Sequence, residues 1–197
     1  MTKEKIVIEL EKILNNPDDY EGLQLMNKLI ETLKNDIKME SAKKTTKTSK
    51  ITAIKKVLNH SACKYRPVLQ KYDIQNGKMV FTNSYVAFRI NEIENNPFSR
   101  VTDEDGLYPT LNFAFNNFNI DDCEVVNIDY SLVKMNYKTK AKNMYINKNL
   151  FDTSYLLSAL DIMPENTKYY LNSKNCIIYG INEDTEEDCI ILGIRSY

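Results

Sequence analysis

Residues 76–90 read Asn76-Gly77-Lys78-Met79-Val80-Phe81-Thr82-Asn83-Ser84-Tyr85-Val86-Ala87-Phe88-Arg89-Ile90. An Asn-Gly pair between apolar runs is a strong hairpin signal, because both residues accept the positive φ of a tight reversal. The flanking runs, 67–75 and 78–83, are therefore predicted to pair as strands. A third strand is predicted over 85–90, where Val86, Phe88 and Ile90 alternate with Tyr85, Ala87 and Arg89. Strands joined by such short reversals run antiparallel.

Upstream, Ile51, Ile54, Val57 and Leu58 predict a short helix with Lys55 and Lys56 on its other side. Downstream the pattern returns. A strand is expected over 143–149. Thr153 or Ser154 then caps a helix carrying Tyr155, Leu156, Ala159 and Leu160, which Pro164 ends. Strands follow at 167–172, 175–181 and 188–195. A helix with three antiparallel strands thus occurs twice, the second helix starting about a hundred residues after the first. The interval 91–143 holds Pro97, Pro109 and aromatic residues at 108, 113, 115 and 118 that must pack somewhere. Strands or a helix near 124–136 both fit it.

The N-terminal part reads differently. Ile6, Leu10, Ile13 and Leu14 mark a helix over 3–15. Asn16-Pro17 breaks it and starts a second helix to about Met39, with Leu23, Met26, Ile30, Leu33 and Ile37 as its stripe. The pair is expected to form a helical hairpin over 1–39, its stripe packed on the domain, on the partner helix or in a dimer. Residues 40–50 have almost no apolar content to offset the cost of ordering a backbone. They predict a flexible basic linker before an α+β domain over 51–197.

Composition removes several classes of chemistry. The chain has one histidine and 5 glycines, so a His-based triad or zinc site would have to run through His60 alone, and no short window holds the glycines of a phosphate loop. No catalytic set, cofactor site or metal site is assigned, and no enzyme activity is expected. His60 and Cys63 form an HxxC that lacks two further ligands. Asp103-Glu104-Asp105-Gly106 lacks the ligand pattern of a calcium loop. The absence of a long apolar run and of a signal peptide, with four scattered cysteines, predicts a cytoplasmic chain without a membrane partner. Lysine outnumbers arginine by 22 to 4, the bias of an AT-rich genome such as a low-GC bacterium or its phage.

Charge is segregated. Residues 38–90 carry 12 bases against Glu40 and Asp73; residues 91–133 carry 9 acids against Arg100; residues 134–150 carry 5 lysines and no acid. Such blocks steer partners even when the net charge is only −1. Lys43, Lys44, Lys47, Lys50, Lys55, Lys56, Lys64 and Arg66 are the candidate nonspecific DNA or RNA contacts, since lysine point charges suit phosphates better than base edges. The run Glu183–Asp188 is either a solvated hairpin tip or a phosphate-mimicking patch.

Three stretches resemble the bacterial DNA sliding clamp, the beta subunit of the replicative polymerase. They are Lys64-Tyr65-Arg66-Pro67-Val68-Leu69-Gln70 with Phe81-Thr82-Asn83-Ser84-Tyr85-Val86-Ala87, then Asn149–Leu160, then Asp188-Cys189-Ile190-Ile191-Leu192-Gly193-Ile194-Arg195. The resemblance covers about 51–197. It implies a DNA-clamp-like α+β domain of two helix-plus-antiparallel-strand halves, with replication partners. It departs from the family in having one domain where a clamp protomer has three, so a ring would need six copies. Asn83, Val86 and Leu192-Gly193 stand where clamps carry Asp, Arg and Met-Pro. The resemblance also implies a partner-binding groove at Thr82, Ser84, Tyr85 and Val86 with Leu192, Gly193, Ile194 and Arg195, completed by two chains packed head to tail as a homo-oligomer. The functional expectation is a non-catalytic protein, phage or mobile-element encoded, that binds nucleic acid or replication proteins. The alternative is a phage inhibitor of a host nuclease or defence complex, of the anti-CRISPR type, acting by protein binding.

Overall fold

A computed structural model describes residues 49–194, which belong to one compact unit of the chain beginning at Lys47. The expected hairpin over 1–39, all of the linker except Ser49 and Lys50, and Arg195 lie outside the described residues. No helix among the described residues is long and apolar enough to cross a membrane.

The domain is mixed α and β. Helix α1, Lys50–Leu58, begins where Ser49 Oγ accepts the Thr52 N–H (3.3 Å), and it buries Ala53, Ile54, Val57 and Leu58. Strands β1 (Asp73–Gln75), β2 (Lys78–Thr82) and β3 (Val86–Ile90) follow as an antiparallel meander. Asn76 and Gly77 turn between β1 and β2 with φ of 52° and 74°. The expected strand over 67–75 is shorter than its apolar content suggested. Pro67 fixes the first position of a 3-10 turn, Pro67–Gln70, which buries Leu69 and leaves only Asp73–Gln75 to pair.

The middle resolves into helix α2 (Leu111–Asn116), strand β4 (Glu124–Val126) and helix α3 (Tyr130–Lys138). Strands β5 (Asn143–Ile146) and β6 (Asn149–Asp152) form a separate hairpin. Asn147 and Lys148, both at positive φ, divide what was expected as one strand. Helix α4, Thr153–Ile162, is capped by Asp152, whose Oδ1 accepts the Ser154 N–H at 2.7 Å; neither Thr153 nor Ser154 is the cap. Strands β7 (Lys168–Asn172), β8 (Ile177–Asn182) and β9 (Glu187–Leu192) complete the domain.

The large sheet has seven strands in the order β1-β2-β3-β9-β8-β7-β4, every pairing antiparallel. The two helix-plus-three-strand halves meet at the β3–β9 seam, where Val86 lies opposite Ile191 and Phe88 opposite Cys189. Strand alternation divides the packing between the two faces. Met79, Phe81, Phe88, Ile90, Ile178 and Ile191 join Ile54, Leu156 and Ile162 of the helices in the main core. Phe81 and Phe88 stack at 4.9 Å within it. Ala87 and Ile190 point the other way and meet Phe115 of α2. Phe115 and Phe118 of the middle segment therefore cover the second face of the sheet, while Phe113, expected to pack, is 74% exposed. Arg89 fastens that cover: it pairs with Asp188 across the seam and lies over the Phe115 ring at 4.8 Å.

Candidate functional site

The bend between β2 and β3 is built from its own side chains. Thr82 Oγ1 donates to Val86 O (2.7 Å) and accepts the Ser84 N–H (3.0 Å). Asn83 Oδ1 accepts the N–H groups of Tyr85 (3.0 Å) and Val86 (2.9 Å). With its backbone hydrogen bonds made locally, the bend holds Ser84 at φ 77° and sets Tyr85 outward, 46% exposed. Leu192 N–H donates to Tyr85 O (2.9 Å), which brings the end of β9 against the bend.

A groove of about 280 Å³ results. Thr82, Ser84, Tyr85, Val86 and Leu192 line it, and Leu69, Pro109, Leu111, Ala114 and Ile190 complete its walls. The first five are residues singled out from the sequence. They meet within a single chain because β3 pairs directly with β9, so this part of the expected groove forms without a second chain. Gly193 and Ile194 are not in the lining. Gly193 N–H donates to Cys176 O (2.7 Å), and a Cβ there would lie 2.2 Å from Cys176 Sγ, so only glycine fits. Ile194 turns away to bridge Leu150 of β6. Val86 is a core residue, whereas Leu192 is 38% exposed. Sequence reasoning missed the second wall. Its only signal was an apolar run over 107–115 with no assigned place.

A second concavity, of about 560 Å³, opens between α1, α3 and α4. His60, Asn83, Tyr137, Ser154, Tyr155 and Ser158 contribute to its walls together with Lys55 and Lys56. Tyr155 stacks on Tyr85 at 5.3 Å and meets His60 edge-on at 5.6 Å, so one aromatic cluster separates this cleft from the groove. His60 Nδ1 accepts the Ala62 N–H (3.2 Å), leaving Nε2 to donate to the Tyr155 hydroxyl at 3.4 Å. Burial, with Asp152 and Tyr85 nearby, pushes that hydroxyl up to about 12. The ring is a neutral phenol at physiological pH.

The described members of the basic run, Lys50, Lys55, Lys56, Lys64 and Arg66, have different surroundings. Lys43, Lys44 and Lys47 lie outside the described residues. Lys50 Nζ donates to both carboxylate oxygens of the buried Glu187 (3.1 and 3.2 Å). Lys55 and Lys56 are exposed on α1, Lys64 is exposed on the following turn, and Arg66 lines the groove. Lys56 Nζ lies 5.7 Å from the centre of the Tyr137 ring, which links α1 to the lysines that end and follow α3. The acidic run is largely committed inside the domain: Glu183 pairs with Lys168, Glu186 with Lys78, Glu187 with Lys50 and Asp188 with Arg89. Asp105 closes a capping box with Thr102 and accepts a hydrogen bond from Lys71. Cys63 is buried against Val57 O, and burial pushes its thiol up. No protein-family model, curated protein or solved structure matches the chain.

Proposed function

We propose that this chain is a non-catalytic, clamp-like adaptor that captures a short apolar peptide of a replication-class partner in the groove between the Thr82–Val86 bend and β9. The convergence of Thr82, Ser84, Tyr85, Val86 and Leu192 on one groove carries this reading. The bend is pre-organised, so little ordering is needed on binding. Tyr85 offers an exposed ring as an anchor. The succession of helix and three strands, repeated and joined edge to edge, supports the clamp-like description.

Titration of the full chain with short synthetic peptides bearing paired leucine or phenylalanine anchors tests the groove. Saturable binding is expected, and Tyr85→Ala and Leu192→Asp should each abolish it with the circular dichroism unchanged. A panel without binders, or binding indifferent to both substitutions, removes the groove from the reading. A host-defence nuclease as the partner would use the same groove. Within Glu183–Asp188 the buried Glu187 and the partly buried Asp188 pair with Lys50 and Arg89, while Glu183, Asp184 and Glu186 stay exposed at the hairpin tip.

Association with nucleic acid is the second reading. It is favoured by the exposed Lys55 and Lys56 beside the lysines at 138, 140 and 142. If about six phosphates are neutralised, the log-log slope of affinity against salt should be near −5. Lys55→Gln with Lys56→Gln should weaken binding to all sequences alike. A flat salt response sinks this reading.

A further inference from the structure

The cleft between α1, α3 and α4 has a volume of about 560 Å³. That falls in the range, roughly 300–1,000 Å³, where small-ligand sites lie, and it admits a flat ring with its sugar while excluding a double helix. Tyr137 stands at its wall and is 43% exposed, which puts its ring within reach of a stacking partner. Lys56 Nζ lies 5.7 Å from that ring, and Lys55 lines the same cleft. Lys138, Lys140 and Lys142 come directly after Tyr137 in the chain. Among the described residues none of these five lysines forms an ion pair with a carboxylate. Asp161 supplies the lining's one carboxylate; it is buried, and its Oδ1 accepts a hydrogen bond from the Tyr130 hydroxyl (2.9 Å).

An accessible aromatic ring beside cations that make no ion pair with a described carboxylate is the chemistry of single-strand recognition: bases stack while ammonium groups neutralise the flanking phosphates. A duplex brings phosphates only, since its bases are already stacked. We infer that the cleft takes single-stranded nucleic acid, one base stacked on Tyr137 and the neighbouring phosphates on Lys55, Lys56 and the lysines that follow Tyr137. This inference rests on the nucleic-acid reading above and specifies the strand that is bound.

The test is fluorescence anisotropy of the full chain with labelled oligo-dT, oligo-U and a duplex of equal length, at low and moderate salt. Oligo-dT or oligo-U should bind more tightly than the duplex, and comparison of the two separates DNA from RNA as the source. Tyr137→Ala should weaken single-strand binding roughly tenfold and leave duplex binding and the salt slope unchanged. Tyr137→Phe should restore single-strand affinity, because the ring and not the hydroxyl is used. A duplex that binds as tightly as the single strands, or a folded Tyr137→Ala that binds oligo-dT like the parent, overturns the inference while the nucleic-acid reading stands. Absence of binding to all three probes at low salt overturns both.

Discussion

The β2–β3 and β8–β9 reversals occupy equivalent places in the two halves of the domain, and each is built on a buried asparagine. Asn83 follows β2 and Asn182 ends β8; both are 2% exposed. Asn83 Oδ1 accepts the N–H groups of Tyr85 and Val86, and Asn182 Oδ1 accepts the N–H and the hydroxyl of Thr185, both at 3.0 Å. The scaffold is shared; what it displays is not. The first reversal sets out Tyr85 over an apolar groove. The second sets out Glu183 and Glu186, which return to Lys168 and Lys78 of the same domain. The contrast separates residues that make the fold from residues that give one of its ends an exposed apolar surface.

The largest expected effect breaks the seam that joins the halves. Phe88→Ala removes a fully buried ring stacked on Phe81 and should cost about 3–5 kcal/mol in urea unfolding, with both halves lost in one transition. Two separate transitions would show that the halves are independent.

Next come the paired asparagines. Asn83→Ala and Asn182→Ala each strip a buried reversal of its acceptor and should each cost about 2 kcal/mol. Only Asn83→Ala should also abolish peptide capture. Equal loss of capture in both variants would mean that the two reversals do not differ in function.

Arg89→Ala should cost about 1–2 kcal/mol near neutral pH, because it strips partly buried Asp188 of its cation across the seam. Burial already raises the Asp188 carboxyl above its ordinary 3.8, and Arg89 opposes that rise. Without Arg89 the folded-state value climbs further above the unfolded one. The variant's deficit relative to the parent should therefore be small in acid and grow as pH rises from the parent's raised folded value through the variant's higher one. A deficit constant with pH would assign the role of Arg89 to its packing on Phe115 instead.

The smallest effect lies outside both reversals. The Lys71 hydrogen bond, helped by Thr102, holds the Asp105 carboxyl at about 2, below its ordinary 3.8. Its contribution is present above 3.8 and is lost as pH falls toward 2. Asp105→Asn should lower the thermal midpoint slightly near neutral pH, and its difference from the parent should vanish as pH falls toward 2.

The sequence announced the elements whose signals are local. Asn76-Gly77 placed the first hairpin, alternation placed β3, and a periodic stripe placed α1 and α4. It did not announce the cover on the second face. Leu111, Phe115 and Phe118 are given their place by Ala87, Ile190 and Tyr179, residues distant in the chain. The paired asparagines were equally hidden, because Thr82-Asn83-Ser84 and Ile181-Asn182-Glu183 share one letter and equivalence appears only in the hydrogen bonds. The groove residues were named from the family resemblance, but their meeting in one chain needed the β3–β9 pairing. That the lysines after Tyr137 come near Lys56 needed α3 to lie beside α1 at Tyr137.

That same pairing has a consequence for biosynthesis. Val86 lies opposite Ile191 in the sheet, so the last strand of the first half waits for a partner about a hundred residues further along the nascent chain. Until β9 leaves the ribosome, β3 presents an open edge with Phe81 and Phe88 beside it, the kind of surface that chaperones cover and aggregates recruit. Yield on expression should therefore depend on how fast the last third of the message is translated, more than on the stability of the finished domain.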